Sequence, residues 1–133
     1  AELIVVTTPQ LMAQKVATRV ADMAKRSFIP LLGVIENMSY FESDTGDKYN
    51  IFGEGGGEAL SDKFGIPLLG KVPISENTNN VADSGTPLID QNNSVTKVEI
   101  EKLINNIAIQ LPPIIDETCT GRLAKVFEEL SNQ

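Results

Sequence analysis

The chain alternates short unbroken apolar runs with longer stretches in which apolar residues return every three or four positions. Glu2 to Thr7 (ELIVVT), Leu31 to Ile35 (LLGVI) and Pro67 to Pro73 (PLLGKVP) are runs of the kind found in strands buried on both faces. Between the first two, Met12, Val16, Val20 and Met23 fall at i, i+4, i+8 and i+11 and form one helical stripe. Ala13, Ala17, Ala21 and Ala24 flank the stripe and allow close approach to a sheet, while Lys15, Arg19, Asp22, Lys25 and Arg26 lie largely off it. The stripe is therefore expected to face the core. Thr8 is expected to cap this helix, with Pro9 as its first residue, where a missing N–H costs nothing. Strand, helix and strand over roughly thirty residues make a βαβ unit with parallel strands and a right-handed crossover.

The stretch that follows, Gly33 to Gly57 (GVIENMSYFESDTGDKYNIFGEGGG), holds the candidate chemistry. Asn37 stands at the predicted end of the second strand. Met38 to Phe41 and Lys48 to Phe52 flank the polar segment Glu42 to Asp47, and aromatic residues on both sides of a Thr-Gly turn predict a protruding β-hairpin. Loops on rigid scaffolds are where binding surfaces gather; the acidic tip reads as a solvated turn or as a weak cation site. Gly53 to Gly57 opens a helix that runs to Phe64 and stops at Gly65. A glycine-rich turn at a helix N-terminus either holds an anion or simply needs positive φ. No GxxxxGK[ST] segment occurs, so this chain alone is not expected to hydrolyse a nucleotide.

Beyond the third strand, Ser75 is expected to cap a short helix from Asn77 to Asp83, broken by Ser84 to Pro87, with a loop at Asp90 to Asn93. Ser94 caps a longer helix whose apolar side is Val98, Leu103, Ile104, Ile107 and Leu111, stopped by Pro112 and Pro113. In the last segment, Thr118 to Leu130, residues Leu123, Val126, Phe127 and Leu130 fall at i, i+3, i+4 and i+7. Such a face must pack on something, whether its own domain or a second subunit.

Composition narrows the picture. The 133 residues fit one domain, read as residues 1–133, and the net charge of −7 argues against a nucleic-acid or anionic-membrane surface. With one cysteine, Cys119, and no histidine, an internal disulfide framework and a self-contained Cys/His metal site are both excluded. The thiol reads as an inert bystander near a helix start, and its solitude favours a reduced cytoplasmic setting. No apolar run reaches the length of a membrane span. Ala1 at the head of a buried-type strand is expected of a segment of a longer protein, or of a chain trimmed of its initiator methionine.

GVIENMSYF, followed in order by IFGEGGGEAL, PLLGKVPIS and ADSGTP, with IVVTTPQ ahead of them, resembles the second half of the Mrp/ApbC family. These are P-loop ATPases of the ParA/MinD superclass associated with iron–sulfur cluster carriage, and the likeness covers about Leu3 to Ile89. The resemblance implies an α/β layered fold with a mostly parallel sheet flanked by helices. It makes the chain the carboxy-terminal part of an ATPase domain whose Walker A segment lies upstream. It implies ATP with Mg in the parent protein, a homodimer and iron–sulfur client proteins. Asn37 matches the Asn that hydrogen-bonds the adenine edge, and an amide has the donor and acceptor for that task. Pro73, Ile74 and Ser75 match the loop beside the base; Gly55, Gly56 and Gly57 match a turn of structural role. Two departures stand out. Many family members carry Cys-x-x-Cys in the hairpin, where this chain has Glu42 to Asp47 without cysteine, which speaks against direct cluster binding. Where an Arg commonly precedes the Asp-x-Gly-x-Pro motif, this chain has Asn77, Asn79 and Asn80. The alternatives are a ParA/MinD-like positioning ATPase and a non-catalytic binding or scaffold module.

Overall fold

The computed structural model describes residues 2–75 and 94–111, together with positions 83, 85, 87 and 89. The readings at Asn77 to Asn93, at the Pro112-Pro113 stop and at Thr118 to Leu130 with Cys119 fall on or among residues outside this set. The elements are β1 (Leu3–Thr7), α1 (Leu11–Arg26), β2 (Leu31–Glu42), β3 (Lys48–Tyr49), α2 (Gly56–Phe64), β4 (Leu68–Ile74) and α3 (Val95–Gln110).

β2 is the spine of the sheet. It pairs in parallel with β1 on one side and β4 on the other, and its far end pairs antiparallel with β3 through Phe41↔Tyr49 and Glu42↔Lys48. The three apolar runs therefore form a parallel sheet, and the hairpin is present with a second strand shorter than expected. The layered, mostly parallel α/β architecture matches the sequence expectation.

The β2–β4 register carries the layering. Val34 faces Leu68, but Ile35 faces Gly70 and Glu36 faces Lys71, so Leu69 is looped out of step. Alternation then places Glu36 and Lys71 on one face and Gly70 on the other. α1 and α2 cover the first face, where Val5, Ala17, Ala21, Val34, Leu60 and Phe64 form the core. α3 covers the second: a Cβ on Gly70 would lie 3.2 Å from Leu103 Cδ1, and Asn106 Nδ2 donates to the Leu69 carbonyl at 2.7 Å.

Several local expectations are corrected. α1 begins at Leu11 with Gln10 as its N-cap and no side-chain cap. Pro9 sits before the helix, buried, and its carbonyl accepts from Gln14 Nε2 at 2.9 Å. The turn serves packing: a Cβ on Gly56 would come within 2.8 Å of Pro9 Cα.

The face of α1 is also reversed. Ala17, Ala21 and Ala24 are buried, whereas Met12, Val16, Val20 and Met23 are exposed. Small side chains let the helix axis approach the sheet, and Val16 and Val20 of the larger stripe line a groove along β1, whose far edge has no partner strand among the described residues. On α3, Leu103 is buried and Ile107 half-buried as expected, but Val98, Ile104 and Leu111 are exposed. The docking line is Thr96, Ile100, Leu103 and Ile107, with the polar Thr96 buried. Ser94 caps α3 as expected, its Oγ accepting from Lys97 N–H at 3.1 Å.

Candidate functional site

Asn37 does not end its strand. β2 runs on to Glu42, and Asn37 marks a break within it: the pairing with β4 shifts between Asn37 and Phe41, and Met38 takes a φ of 55°. Asn37 Oδ1 accepts from the Met38 N–H at 2.9 Å, which helps hold a non-glycine residue in that left-handed conformation. The break lies near the carboxyl ends of β1 and β4, where open α/β sheets receive ligands.

Asn37 is exposed there and lines a mostly apolar groove of about 430 Å³ with Thr7, Thr8, Val16 and Val20. Thr8 lines the same groove, and its Oγ1 is buried with no hydrogen-bond partner among the described residues. Pro73, Ile74 and Ser75 open elsewhere. They line a cleft of about 470 Å³ with the hairpin residues Glu42, Ser43 and Asp44 and the α3 start at Ser94. Asn37 pairs with Val72, so the two sets are neighbours along the sheet but face different recesses.

Beneath Asn37 lies Glu36, which the sequence reading passed over. Its side chain is fully buried. Oε1 accepts from Ser39 Oγ at 2.5 Å, Oε2 accepts from the Gly57 N–H at 2.6 Å, and Lys71 Nζ stands 3.7 Å from Oε1. The anion at the N-terminus of α2 is therefore the chain's own carboxylate, satisfying an orphan amide in the favourable end of the helix dipole. The glycine-rich turn needs positive φ at Gly53 (88°) and Gly55 (80°), and Gly57 leaves no room for a Cβ against Glu36. A lone carboxylate in the run LLGVIEN, three residues before a serine, is the sequence signal for this network.

Lys71 also pairs with Glu58. Burial works to raise the Glu58 pKa but is outweighed by the Lys71 hydrogen bond, then by Glu58's own backbone N–H and the ammonium charge, leaving it lowered. Burial likewise opposes the Lys71 charge, but the Glu58 hydrogen bond and the two carboxylate charges raise its pKa. The signs fix two windows. A lowered Glu58 pKa adds stability above its unfolded value of about 4.3, lost as pH falls through the folded value. A raised Lys71 pKa adds stability below about 10.4, lost as pH rises through its folded value. The Tm difference between the native chain and Lys71→Met is therefore expected to be largest between these limits. It should shrink toward pH 3 and toward pH 11 in thermal melts; a flat difference would refute the pairing.

At the hairpin tip, Ser43 Oγ lies 2.8 Å from Thr45 Oγ1, and Thr45 Oγ1 donates to Asp47 Oδ2 at 2.8 Å. These oxygens are engaged with one another, and the hairpin has no thiolate, so it does not fit an iron–sulfur cluster. Among the described residues, no group of three or more His, Cys, Asp or Glu is placed to hold a metal ion. No helix among them is long and apolar enough to cross a membrane.

Comparison with known proteins agrees with this architecture. Residues 1–110 match the ParA family described as NUBPL iron-transfer P-loop NTPase. The chain is 43% identical over 109 residues to the iron-sulfur cluster carrier protein of Pyrococcus furiosus, covering 78% of this chain and 37% of the relative. It is 46% identical over 87 residues to the protein of that name from Deinococcus radiodurans, covering 65% and 24%. The chain thus spans well under half the length of these relatives.

Among solved structures, the cell division ATPase MinD of P. furiosus superposes with a TM-score of 0.63 at 22% identity, covering 83% of this chain and 43% of that one. A nucleotide-binding protein of Archaeoglobus fulgidus in complex with ADP superposes at 0.54 and 32% identity, covering 62% and 34%. The MinD likeness shows the fold, and the family match with the carrier identities shows the lineage. The chain belongs to the ParA family, as a relative of the NUBPL-type iron-transfer P-loop NTPases.

Proposed function

We propose that this chain is the carboxy-terminal part of a P-loop ATPase domain acting in iron–sulfur cluster assembly or transfer, and that it supplies the adenine-side wall of the nucleotide site. The observation that carries this reading is the break in β2, which presents the Asn37 amide at the ligand-receiving end of a parallel sheet. Asn37 would read the purine edge, its amide rotating from the Met38 N–H or donating through Nδ2. Pro73, Ile74 and Ser75, one strand over, would flank the base from the neighbouring cleft.

ATP with Mg would take its phosphate and metal contacts from the remainder of the parent protein, since no P-loop lysine is present here. When bound, the nucleotide supplies the phosphoryl-transfer chemistry; this chain's residues only bind and orient the base. The open edge of β1 and the exposed stripe of α1 would seat that remainder. A cytoplasmic homodimer serving iron–sulfur client proteins completes the proposal, with any cluster held outside this hairpin.

Asn37→Ala in the parent protein is expected to weaken ATP binding about tenfold, the scale of one lost hydrogen bond, and to narrow the preference for ATP over GTP. Isothermal titration with both nucleotides tests it; unchanged affinity and selectivity would remove Asn37 from the site. A MinD-like positioning ATPase shares the fold, but that likeness is below 25% identity for the MinD structures. A parent that neither binds nor hydrolyses ATP would instead favour the scaffold reading.

A further inference from the structure

The break in β2 is held from both of its sides. In a regular strand, residues three apart lie about 10 Å from one another and point to opposite faces. Glu36 and Ser39 are three apart, yet Ser39 Oγ donates to Glu36 Oε1 at 2.5 Å. The contact exists because Met38, between them, turns the chain with its φ of 55°. The dependence runs both ways. A non-glycine residue at positive φ is strained and persists where its surroundings over-determine it. The bond across the break is one such restraint, and the Asn37 Oδ1 contact to the Met38 N–H is a second.

The anchor of that bond is fixed by other contacts. Glu36 is fully buried, and its Oε2 accepts from the Gly57 N–H at 2.6 Å, in the first turn of α2. Lys71 Nζ, reaching from β4, stands 3.7 Å from Oε1 and also pairs with Glu58. Ser39 is itself buried, at 5% exposure, so its hydroxyl has the carboxylate rather than bulk water as partner. A hydroxyl-to-carboxylate bond shielded from water belongs to the stronger class of hydrogen bonds. Asn37 lies between these two buried residues in the chain but is exposed, on the groove it shares with Thr7 and Thr8. An exposed side chain ordinarily samples several rotamers. With the backbone clamped on both sides and Oδ1 committed to the Met38 N–H, this amide has a fixed direction.

We propose that the Glu36–Ser39 bond is the device that aims Asn37, with Ser39 as a positioning residue for the base-reading amide. The inference rests on the nucleotide reading and deepens it. Selectivity for an adenine over a guanine edge depends on the direction of one amide, and a buried hydroxyl two residues on sets that direction. Binding a base to a side chain already held costs less than ordering a loose one.

Ser39→Ala removes the hydroxyl and leaves the contacts of Glu36 with Gly57 and Lys71 in place, so it separates aiming from the rest of the buried network. In the parent protein, isothermal titration is expected to show ATP binding weakened about fivefold, the scale of ordering one loose side chain, with a narrower preference for ATP over GTP. In an Asn37→Ala background the same substitution is expected to change nothing further, because the group it aims is gone. Without nucleotide, the order parameter of the Asn37 side-chain amide is expected to fall from about 0.85 to below about 0.6 in Ser39→Ala, read by nitrogen-15 relaxation. A purely stabilising hydroxyl would lower Tm without coupling to Asn37. A full loss of affinity in both backgrounds, or an Asn37 amide as ordered in Ser39→Ala as in the native protein, would overturn the inference and leave the nucleotide reading standing. Asn37→Ala without effect on either nucleotide would overturn that reading, and this inference with it.

Discussion

Glu36→Ala is expected to destabilise the chain by about 3–5 kcal/mol, the cost of removing one member of a buried ionic network and leaving the others unpaired. The loss has three parts. The Gly57 amide would lose the only acceptor that reaches it from β2, and Ser39 Oγ would lose its carboxylate. Lys71 would keep Glu58, which limits the damage on that side. Glu36→Gln retains the shape and one acceptor oxygen, so it should cost less, about 1.5–3 kcal/mol for the charge-assisted part. Urea unfolding of both variants gives the comparison. A loss within 1 kcal/mol for Glu36→Ala would mean that α2 is held by its apolar face, through Leu60 and Phe64, and that the carboxylate is incidental.

Gly33→Ala is the second large effect, and its cause is steric. A Cβ there would lie 2.5 Å from Leu69 Cγ and 2.7 Å from the Pro67 carbonyl oxygen. Leu69 is almost fully buried and Pro67 meets the site through its backbone, so neither yields easily. The expected cost is about 3 kcal/mol, at the upper end for overpacking. Leu69→Ala alone should cost about 2–5 kcal/mol by leaving a cavity. Combined, the two are expected to cost clearly less than their sum, because the methyl at position 33 enters the space that Leu69 vacates. Additive losses in the double-mutant cycle would place the clash at the Pro67 carbonyl instead. Both predictions concern the segment that carries Asn37, so under the proposed function each would also weaken nucleotide binding in the parent protein.

The family lineage and the layered fold were legible in the residues. Three apolar runs long enough for strands and too short for helices, one helical repeat between the first two, and Gly65 and Ser94 at helix ends fix the element order, because each signal is local. Periodicity could not choose the buried face of α1. The Met12–Met23 stripe is the more apolar, but the sheet accepts the alanine side, since helix-to-strand distance is set by Cβ volume at the contact. Nor could it find Thr96 in the α3 docking line, where a small polar residue fits against β4.

The candidate site divides in the same way. Asn37 stood out by its type and place, while the positive φ at Met38 and the separate recesses of Asn37 and Pro73 to Ser75 depend on register between distant strands. Glu36 was hidden for the same reason. A carboxylate in an apolar run has no visible purpose until Gly57, about twenty residues later in the chain, brings an amide that needs an acceptor. The sequence by itself determined the described strands and helices and their order, and singled out Asn37, which it placed at a strand end. Only the tertiary structure decided which faces meet and which buried charge holds them, because burial and pairing are properties of neighbours that the chain brings together by folding.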